Sequence, residues 1–468
     1  MKRQFQKLFT ILITLCMAFV IVIGIGSISV AAAEGESTLS LSLVGNSTIY
    51  LQKGTEYKEF GATAYDTVEG DLTESIVINN TVNKDTVGTY TVSYSVSNAS
   101  SQTASASRTV IVFESIKEEK MVYKSASYSG TTNNFKKIIE LSDGGLLAFG
   151  AIRQQSNYSS YSNALVVKYD VDLQEQWAKT FNYSYYDRVV EAIEDNNGNI
   201  LIFWTHSGNN FLSVISNDGT ILNNRYDFGS GDYYYVKEVS DNRYAICYFG
   251  YNKVTYLTVN PDDYSVTKEE KNINTVLYYA FVANNNVYSL YNGEIVKENL
   301  DTGEVTNAKF HSSDEARVAY KYNDFIYYCV RYNGVNYFYK LDADLNVLEQ
   351  YSYTGNTIKD FSINNGRLVA LLSDGRFIVL NSDNLDFVAE FYRKNAFNTY
   401  DGVLLSDSGD IYCAGTKTSS YYAAINKIYD FRFFTNTDRY DAQLNENINY
   451  DKAVKPSLRR GLLRNVPP

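Results

Sequence analysis

Reactive side chains are few in this chain. Only two histidines occur in 468 residues, His206 and His311. They lie in different parts of the chain, and no HxH, HExxH or Cys/His pairing accompanies them. A zinc site or a histidine-based triad is therefore not indicated. Lone histidines at strand ends are expected at the surface. Cys16 falls in an apolar N-terminal run behind Leu15, which is too large for a lipoprotein cysteine site. Cys247, Cys329 and Cys413 sit in the apolar runs YAICYF, FIYYCVRY and IYCAG. Three cysteines cannot pair completely, so they read as small buried hydrophobes. No glycine-rich phosphate loop opens a helix, and no G-x-S-x-G elbow is present. Catalytic residues, metal ligands and cofactors are therefore all assigned as none.

Acidic residues offer a second kind of chemistry. Asp66, Glu69 and Asp71 cluster, and Asp recurs in DVDL (170–173), SNDG (216–219), NPDD (260–263), LDTG (300–303), DADL (342–345) and SDNL (382–385). Carboxylates one residue apart can converge on calcium. Asp and Asn also bond their own backbone in tight turns. The feature tracks the architecture unit by unit and never completes a D-x-D-x-D-G loop, so the turn reading is taken.

What remains is tyrosine, 43 of them, with a flat ring and a hydroxyl apiece. Their meaning depends on the elements that hold them. Lys2, Arg3 and Lys7 precede an apolar run from Leu8 to about Val30, followed by Ala31-Ala32-Ala33. This is the pattern of a signal peptide over 1–33, with an uncleaved anchor as the other reading. The net charge of −11 becomes −14 without residues 1–33, which hold three basic residues and no acidic ones. An acidic chain without a basic stripe speaks against nucleic acid as a partner. No second apolar stretch approaches spanning length, so no membrane insertion of the mature chain is expected. About 435 exported residues exceed one ordinary core, so at least two domains are expected.

Residues 34–116 form the first. STIYLQ (47–52), SIVINN (75–80), TYTVSYSV (89–96) and SRTVIVF (107–113) are short alternating runs, the mark of a small antiparallel sandwich. Tyr90, Val92, Tyr94 and Val96 share one face of their strand, opposite Thr89, Thr91, Ser93 and Ser95. The pieces KGTEYKEFGATAYDTVEGDLT (53–73), VGTYTVSYSVSNAS (87–100) and RTVIVF (108–113) resemble the bacterial Ig-like domain of the pesticidal-crystal-protein type. SNASSQ (97–102) departs from that family's more acidic turn. The resemblance implies a spacer or adhesive module without chemistry of its own.

Residues 117–441 repeat one phrase: an apolar strand, an Asp/Asn/Gly turn and a strongly apolar second strand. Second strands begin at Leu146, Ile200, Tyr244, Val287, Phe325, Leu368 and Ile411, at spacings of 54, 44, 43, 38, 43 and 43. Seven units with room for four strands each predict an all-β fold, a seven-bladed β-propeller after the Ig-like sandwich. The long first interval comes from the insertion RQQSNYSSYSN (153–163). MVYKSASY (121–128) has the alternation of an outer strand and is expected to complete the seventh blade. The basic tail 442–468 lacks periodicity and reads as disordered or as a linker.

The unit ALVVKYDVDLQEQWAKTFNYSYYDRVVEAIEDNNGNILIFW (164–204) resembles a β-propeller repeat of exported bacterial proteins. Later units lose its tryptophan. Sialidases repeat S-x-D-x-G-x-x-W and quinoprotein dehydrogenases end their turns in Trp. SNDGTI and LDTGEV echo those turns only in part, and with Trp177 and Trp204 alone neither pattern repeats.

In this frame the tyrosines collect on one rim. Tyr185, Tyr186, Tyr233, Tyr234, Tyr235, Tyr278 and Tyr279 fall where one unit's outer strand passes to the next unit's inner strand. Tyr158, Tyr161, Tyr332, Tyr421 and Tyr422 fall between second and third strands, on the same side of the disc. Such a rim suits recognition of extracellular carbohydrate or protein. The competing reading packs half of these rings between blades. The expectation is a secreted or cell-surface binding protein. A polysaccharide-active propeller enzyme, lyase or glycosidase, and a purely structural surface component are the alternatives.

Overall fold

A strand that is apolar on both faces must be covered on both sides, and the middle strands of each repeat are of that kind. Ile200–His206 is buried from Ile200 through Thr205. In the computed structural model each repeat is a four-stranded antiparallel sheet, and neighbouring sheets cover one another's faces. The structure describes residues 37–429 apart from 115–116, 125–130, 156–159, 182–186, 232, 292, 312–314, 393–397 and 418–421. The expected signal peptide (1–33) and tail (442–468) lie outside the described residues. Among the described residues, no helix is long and apolar enough to cross a membrane.

Seven blades are present. Their first strands are Thr131–Glu140, Arg188–Glu194, Tyr233–Ser240, Tyr279–Ala283, Glu315–Tyr322, Ile358–Asn364 and Asn398–Leu405. Blades one to six take all four strands in chain order. The seventh takes its outer strand from earlier in the chain: Lys117–Lys124 pairs antiparallel with Tyr422–Tyr429. The ring is therefore tied between its two ends, which removes an open edge. The insertion in blade one lengthens a hairpin, with pairing continued from Ile152↔Asn163 to Gln155↔Ser160.

The core lies between blades. Phe149, Val166, Ile202 and Trp204 pack together between blades one and two. Phe135, Ala148, Tyr412 and Ile425 seal blade one to blade seven. Full burial of a side chain such as Phe149 or Phe203 is worth roughly 1.5–3 kcal/mol. Cys247, Cys329 and Cys413 are buried, with no disulfide among the described residues, and burial pushes the Cys247 and Cys329 thiols far above their ordinary value.

Side-chain latches join blades at the acidic turns. The Trp177 indole Nε1 donates to Asn217 O at 2.9 Å, and Lys297 Nζ donates to Ala343 O at 2.7 Å. Lys340 Nζ reaches Asp383 O at 2.9 Å and Tyr327 Oη reaches Ser382 O at 2.7 Å. The Asp side chains meanwhile accept from their own turns. Asp170 Oδ1 takes Asp172 and Gln174 N–H, and Asp342 Oδ1 takes Asp344 and Asn346 N–H.

The strands of the expected Ig-like segment run from Leu39–Leu43 to Thr103–Phe113. The chain divides into two compact units, one of Ala62–Val77 and Tyr94–Ala106 with the chain up to Ser42, the other of Leu43–Gly61, Ile78–Ser93 and the chain from Ser107. In the first unit, Asp66 is fully buried and accepts from Ser37 Oγ, Asn98 Nδ2, Val68 N and Glu69 N. The Ser37 and Asn98 donors foremost hold its carboxyl far below the usual range. Glu69 accepts instead from Ala99 N and Asp71 from Thr73 N, so the three carboxylates serve separate backbone groups.

In the second unit, Arg108 is fully buried and donates to Asn46 O at 2.9 Å and to Val44 O. Thr48–Gln52 pairs in parallel with Thr103–Phe113 on one side and with Phe387–Tyr392 of blade six on the other, through Tyr50↔Ala389 and Leu51↔Glu390. One eight-stranded sheet results. Tyr50, Ile111 and Phe113 join the core between blades six and seven.

Candidate functional site

The seven first strands line the centre of the ring, and six of them are bulged at the same register. The pairing skips Lys136, Val190, Tyr234, Arg317, Lys359 and Asp401. A bulge re-aims the side chains beside it, and here it gathers charge. Asp401 Oδ2 accepts from Lys136 Nζ at 2.9 Å and Asn134 Nδ2 at 3.2 Å, while Oδ1 accepts from Lys359 Nζ at 3.0 Å. Burial opposes this carboxylate, but Lys136 and Lys359 hold it below its ordinary value.

The residues after the bulges form a second tier. Lys137 and Glu191 pair at 2.6 Å. Asp360 accepts from Tyr320 Oη at 2.7 Å and Val403 N at 2.9 Å. Burial pushes the Asp360 carboxyl up despite these donors and Lys137. Gly402 holds the same register in blade seven, where a Cβ would lie 2.6 Å from Lys136 O. Each carboxylate here is already held by donors of neighbouring blades, which suits closure of the ring.

The rim is built differently. Links between blades pack on the hairpin of the next blade. Asp187 meets His206 at 2.5 Å, Tyr278 meets Tyr291, and His311 meets Tyr332 with 5.5 Å between ring centroids. The expectation that lone histidines stand at the surface is corrected here. His206 contacts the fully buried Asp187, and His311 stacks on Tyr337 at 3.7 Å and reaches Tyr339 Oη at 2.7 Å.

One part of this rim exposes its rings. In blade three, Gly250 adopts a left-handed φ of 77° that turns the hairpin after Tyr248. Gly250 N donates to Leu277 O, Leu277 N to Tyr251 O, and Ile273 N to Asn252 O. The link to blade four is thus clamped on its own hairpin, with Leu277 and Ile273 buried beneath. On its other side Ser289 Oγ donates to Val276 O and accepts from Tyr278 N.

On this clamp Tyr278 and Tyr291 stack with centroids 4.1 Å apart, and Phe249 stands edge-on to Tyr278 at 5.5 Å and to Tyr279 at 6.2 Å. Phe249, Tyr279 and Tyr291 are 38%, 46% and 49% exposed, unusual for large rings so close together. Tyr251, also exposed, lies 5.7 Å from Tyr248.

Of the tyrosines expected on the rim, Tyr278 and Tyr279 lie in this cluster. Tyr332 lies half-buried beside His311 in blade five. Tyr235 turns towards Phe281, 5.9 Å away, in the layer between blades three and four, where burial raises its hydroxyl well above the ordinary value. Tyr158, Tyr185, Tyr186 and Tyr421 lie outside the described residues, as do the side chains of Tyr161, Tyr233, Tyr234 and Tyr422. Phe249, Tyr251 and Tyr291 were missed by the sequence reading. Their signal is the hairpin pair FGYN and YNG directly after a second strand.

Residues 41–112 match the family described as bacterial surface protein, Ig-like domain. No curated protein matches the chain. Similar solved structures include virginiamycin B lyase from Staphylococcus aureus, 13% identical, covering 66% of this chain and 99% of that one at a TM-score of 0.46. The Neurospora crassa Pan2 WD40 domain is 10% identical over 65% and 91%, with a TM-score of 0.48. Saccharomyces cerevisiae Sqt1 is 10% identical over 66% and 87%, at 0.43. At these values no activity transfers to this chain; the seven sheets themselves carry the propeller assignment.

Proposed function

We propose that this is an exported surface-binding protein whose propeller recognises carbohydrate through Phe249, Tyr279 and Tyr291. The Ig-like segment, taken as a spacer of the pesticidal-crystal-protein type, carries the propeller outside the cell. The observation behind the reading is the exposed ring cluster on a clamped, uncharged link. Flat rings cover the C–H faces of pyranoses, tyrosine hydroxyls supply polar handles, and rings fixed by stacking lose little entropy on binding. The match of residues 41–112 to a bacterial surface family supports the location.

The test is a glycan array probed with the full chain beside a variant carrying Phe249→Ser, Tyr279→Ser and Tyr291→Ser. Binding by the wild type and its loss in the folded variant supports the reading. A folded wild type that retains no glycan overturns it in favour of a protein ligand.

A further inference from the structure

Three consecutive blades end their second strand in the same residue type. Arg243–Tyr248, Asn286–Tyr291 and Phe325–Tyr332 each close on a tyrosine at the rim. Those of blades one, two, six and seven end instead in Gln155, His206, Leu372 and Lys417. In blades three to five the link arriving from the preceding blade rests on that tyrosine. A Cβ on Gly231 would lie 2.9 Å from Tyr248 Cδ1 and 3.6 Å from Tyr251 Cε2. Tyr278 stacks on Tyr291 at 4.1 Å, and His311 lies 5.5 Å from Tyr332. Backbone bonds join these stations. Leu277 N donates to Tyr251 O at 2.7 Å beside the Tyr278 stack, and Phe310 N donates to Gly293 O at 2.8 Å in the hairpin that Tyr291 opens. The strip carries exposed apolar surface beyond the three rings of the cluster, with Tyr251 42% and Val276 45% exposed. Of the charged groups beside it, Lys253 and Glu270 pair at 3.0 Å, and Glu294 accepts from Asn307 Nδ2.

We propose that this rim accepts an extended, neutral, unbranched glycan chain laid from blade three to blade five, not a single terminal sugar. The proposal rests on the carbohydrate reading above and names its substrate class. A single pyranose cannot cover rings set on three blades. A polymer repeats its C–H faces and hydroxyls as the blades repeat their tyrosines. Tyr251 and Tyr332 then serve as outlying stations on either side of Phe249, Tyr279 and Tyr291. The cost of immobilising the chain is met at the first contact, so each further station adds to affinity and binding grows with chain length. Neighbouring charges that pair with one another favour an uncharged chain.

The experiment is calorimetric titration of the full chain with the di-, tetra- and hexasaccharides of three neutral ladders: cello-, N-acetylchito- and malto-oligosaccharides. Tyr251→Ser, Tyr332→Ser and the triple ring variant above are titrated in parallel. For at least one ladder, affinity is expected to rise about tenfold or more from disaccharide to hexasaccharide. Tyr251→Ser and Tyr332→Ser are each expected to lose most of that rise while binding the disaccharide as the wild type does, which also shows that they fold. The ladder that binds identifies the sugar and its linkage. Equal affinity for disaccharide and hexasaccharide overturns the extended chain and leaves the carbohydrate reading standing. So does a length dependence that survives intact in both single variants, or binding to none of the ladders by a protein that retains other glycans on the array. A folded wild type that retains no glycan at all overturns the carbohydrate reading itself, and the extended chain with it.

Discussion

Tyr278 and Tyr291 lie face to face, centroids 4.1 Å apart and ring planes 20° from parallel, although one is on the link leaving blade three and the other ends a strand of blade four. The stack fixes the junction and leaves the outer side of Tyr291 to solvent. Removing a ring here separates binding from stability. Tyr291→Ala is expected to cost about 0.5–1.5 kcal/mol, the scale of one aromatic pair, and to abolish glycan retention. Tyr279→Ala is expected to weaken retention with a smaller stability change. Urea melts beside array signals check both.

Asp360 sets a pH dependence of one sign. Its carboxyl is raised in the folded protein by burial, so the folded state holds its proton more tightly than the unfolded chain does. Its contribution to stability is therefore largest below the ordinary carboxylate value and falls as pH rises through the raised one. Asp360→Asn is expected to lose that slope. Denaturation of both proteins between about pH 3 and 8 checks it; parallel curves would show that Asp360 does not titrate differently on folding.

Asp66 gives the opposite sign. Four donors hold its carboxyl far below the usual range. Its contribution is complete above the ordinary carboxylate value and is lost as pH falls through the lowered one. The wild type is expected to be more stable than Asp66→Asn at neutral pH, with the gap closing in strong acid. Limited proteolysis of residues 37–113 across that range reads the local unfolding.

Gly219 has a left-handed φ of 92°, and a Cβ there would lie 2.9 Å from Trp177 Cγ. Gly219→Ala combines backbone strain with displacement of the indole and is expected to cost roughly 1–3 kcal/mol. Trp177→Phe keeps most of the packing and loses the bond to Asn217 O, about 1 kcal/mol. The ordering of the two midpoints in thermal melts is the check.

Gly402 has no unusual backbone angle, only a close approach to blade one at Lys136 O and Lys137 Cα. Gly402→Ala is expected to cost roughly 1–3 kcal/mol through overpacking, and to speed hydrogen exchange in Ile411–Lys417 and Tyr422–Tyr429, the strands behind it. Unchanged exchange in those strands would remove Gly402 from the closure of the ring.

The sequence by itself determined the architecture. Second strands spaced near 43 residues required seven equal sheets, because an apolar strand recurring with its own turn needs the next copy to cover it. The acidic turns were legible for a similar reason: Asp170 and Asp342 bond N–H groups two and four residues ahead, a relation contained within the local sequence. Alternation in TYTVSYSV gave the buried face at Val92, Tyr94 and Val96, because one face of that strand is wet.

Only tertiary structure decided which rings face solvent. First strands pack side chains against blades on both sides, so their pattern carries no inside and outside. Tyr235 and Tyr279 look alike in sequence, yet one lies against Phe281 and the other is 46% exposed. The Tyr278–Tyr291 stack and the Asp401 cluster with Lys136 and Lys359 join residues of separate blades. Their meeting is set by blade twist and, in six of the seven inner strands, by bulges that shift the register by one residue, and neither is written in the hydrophobic period.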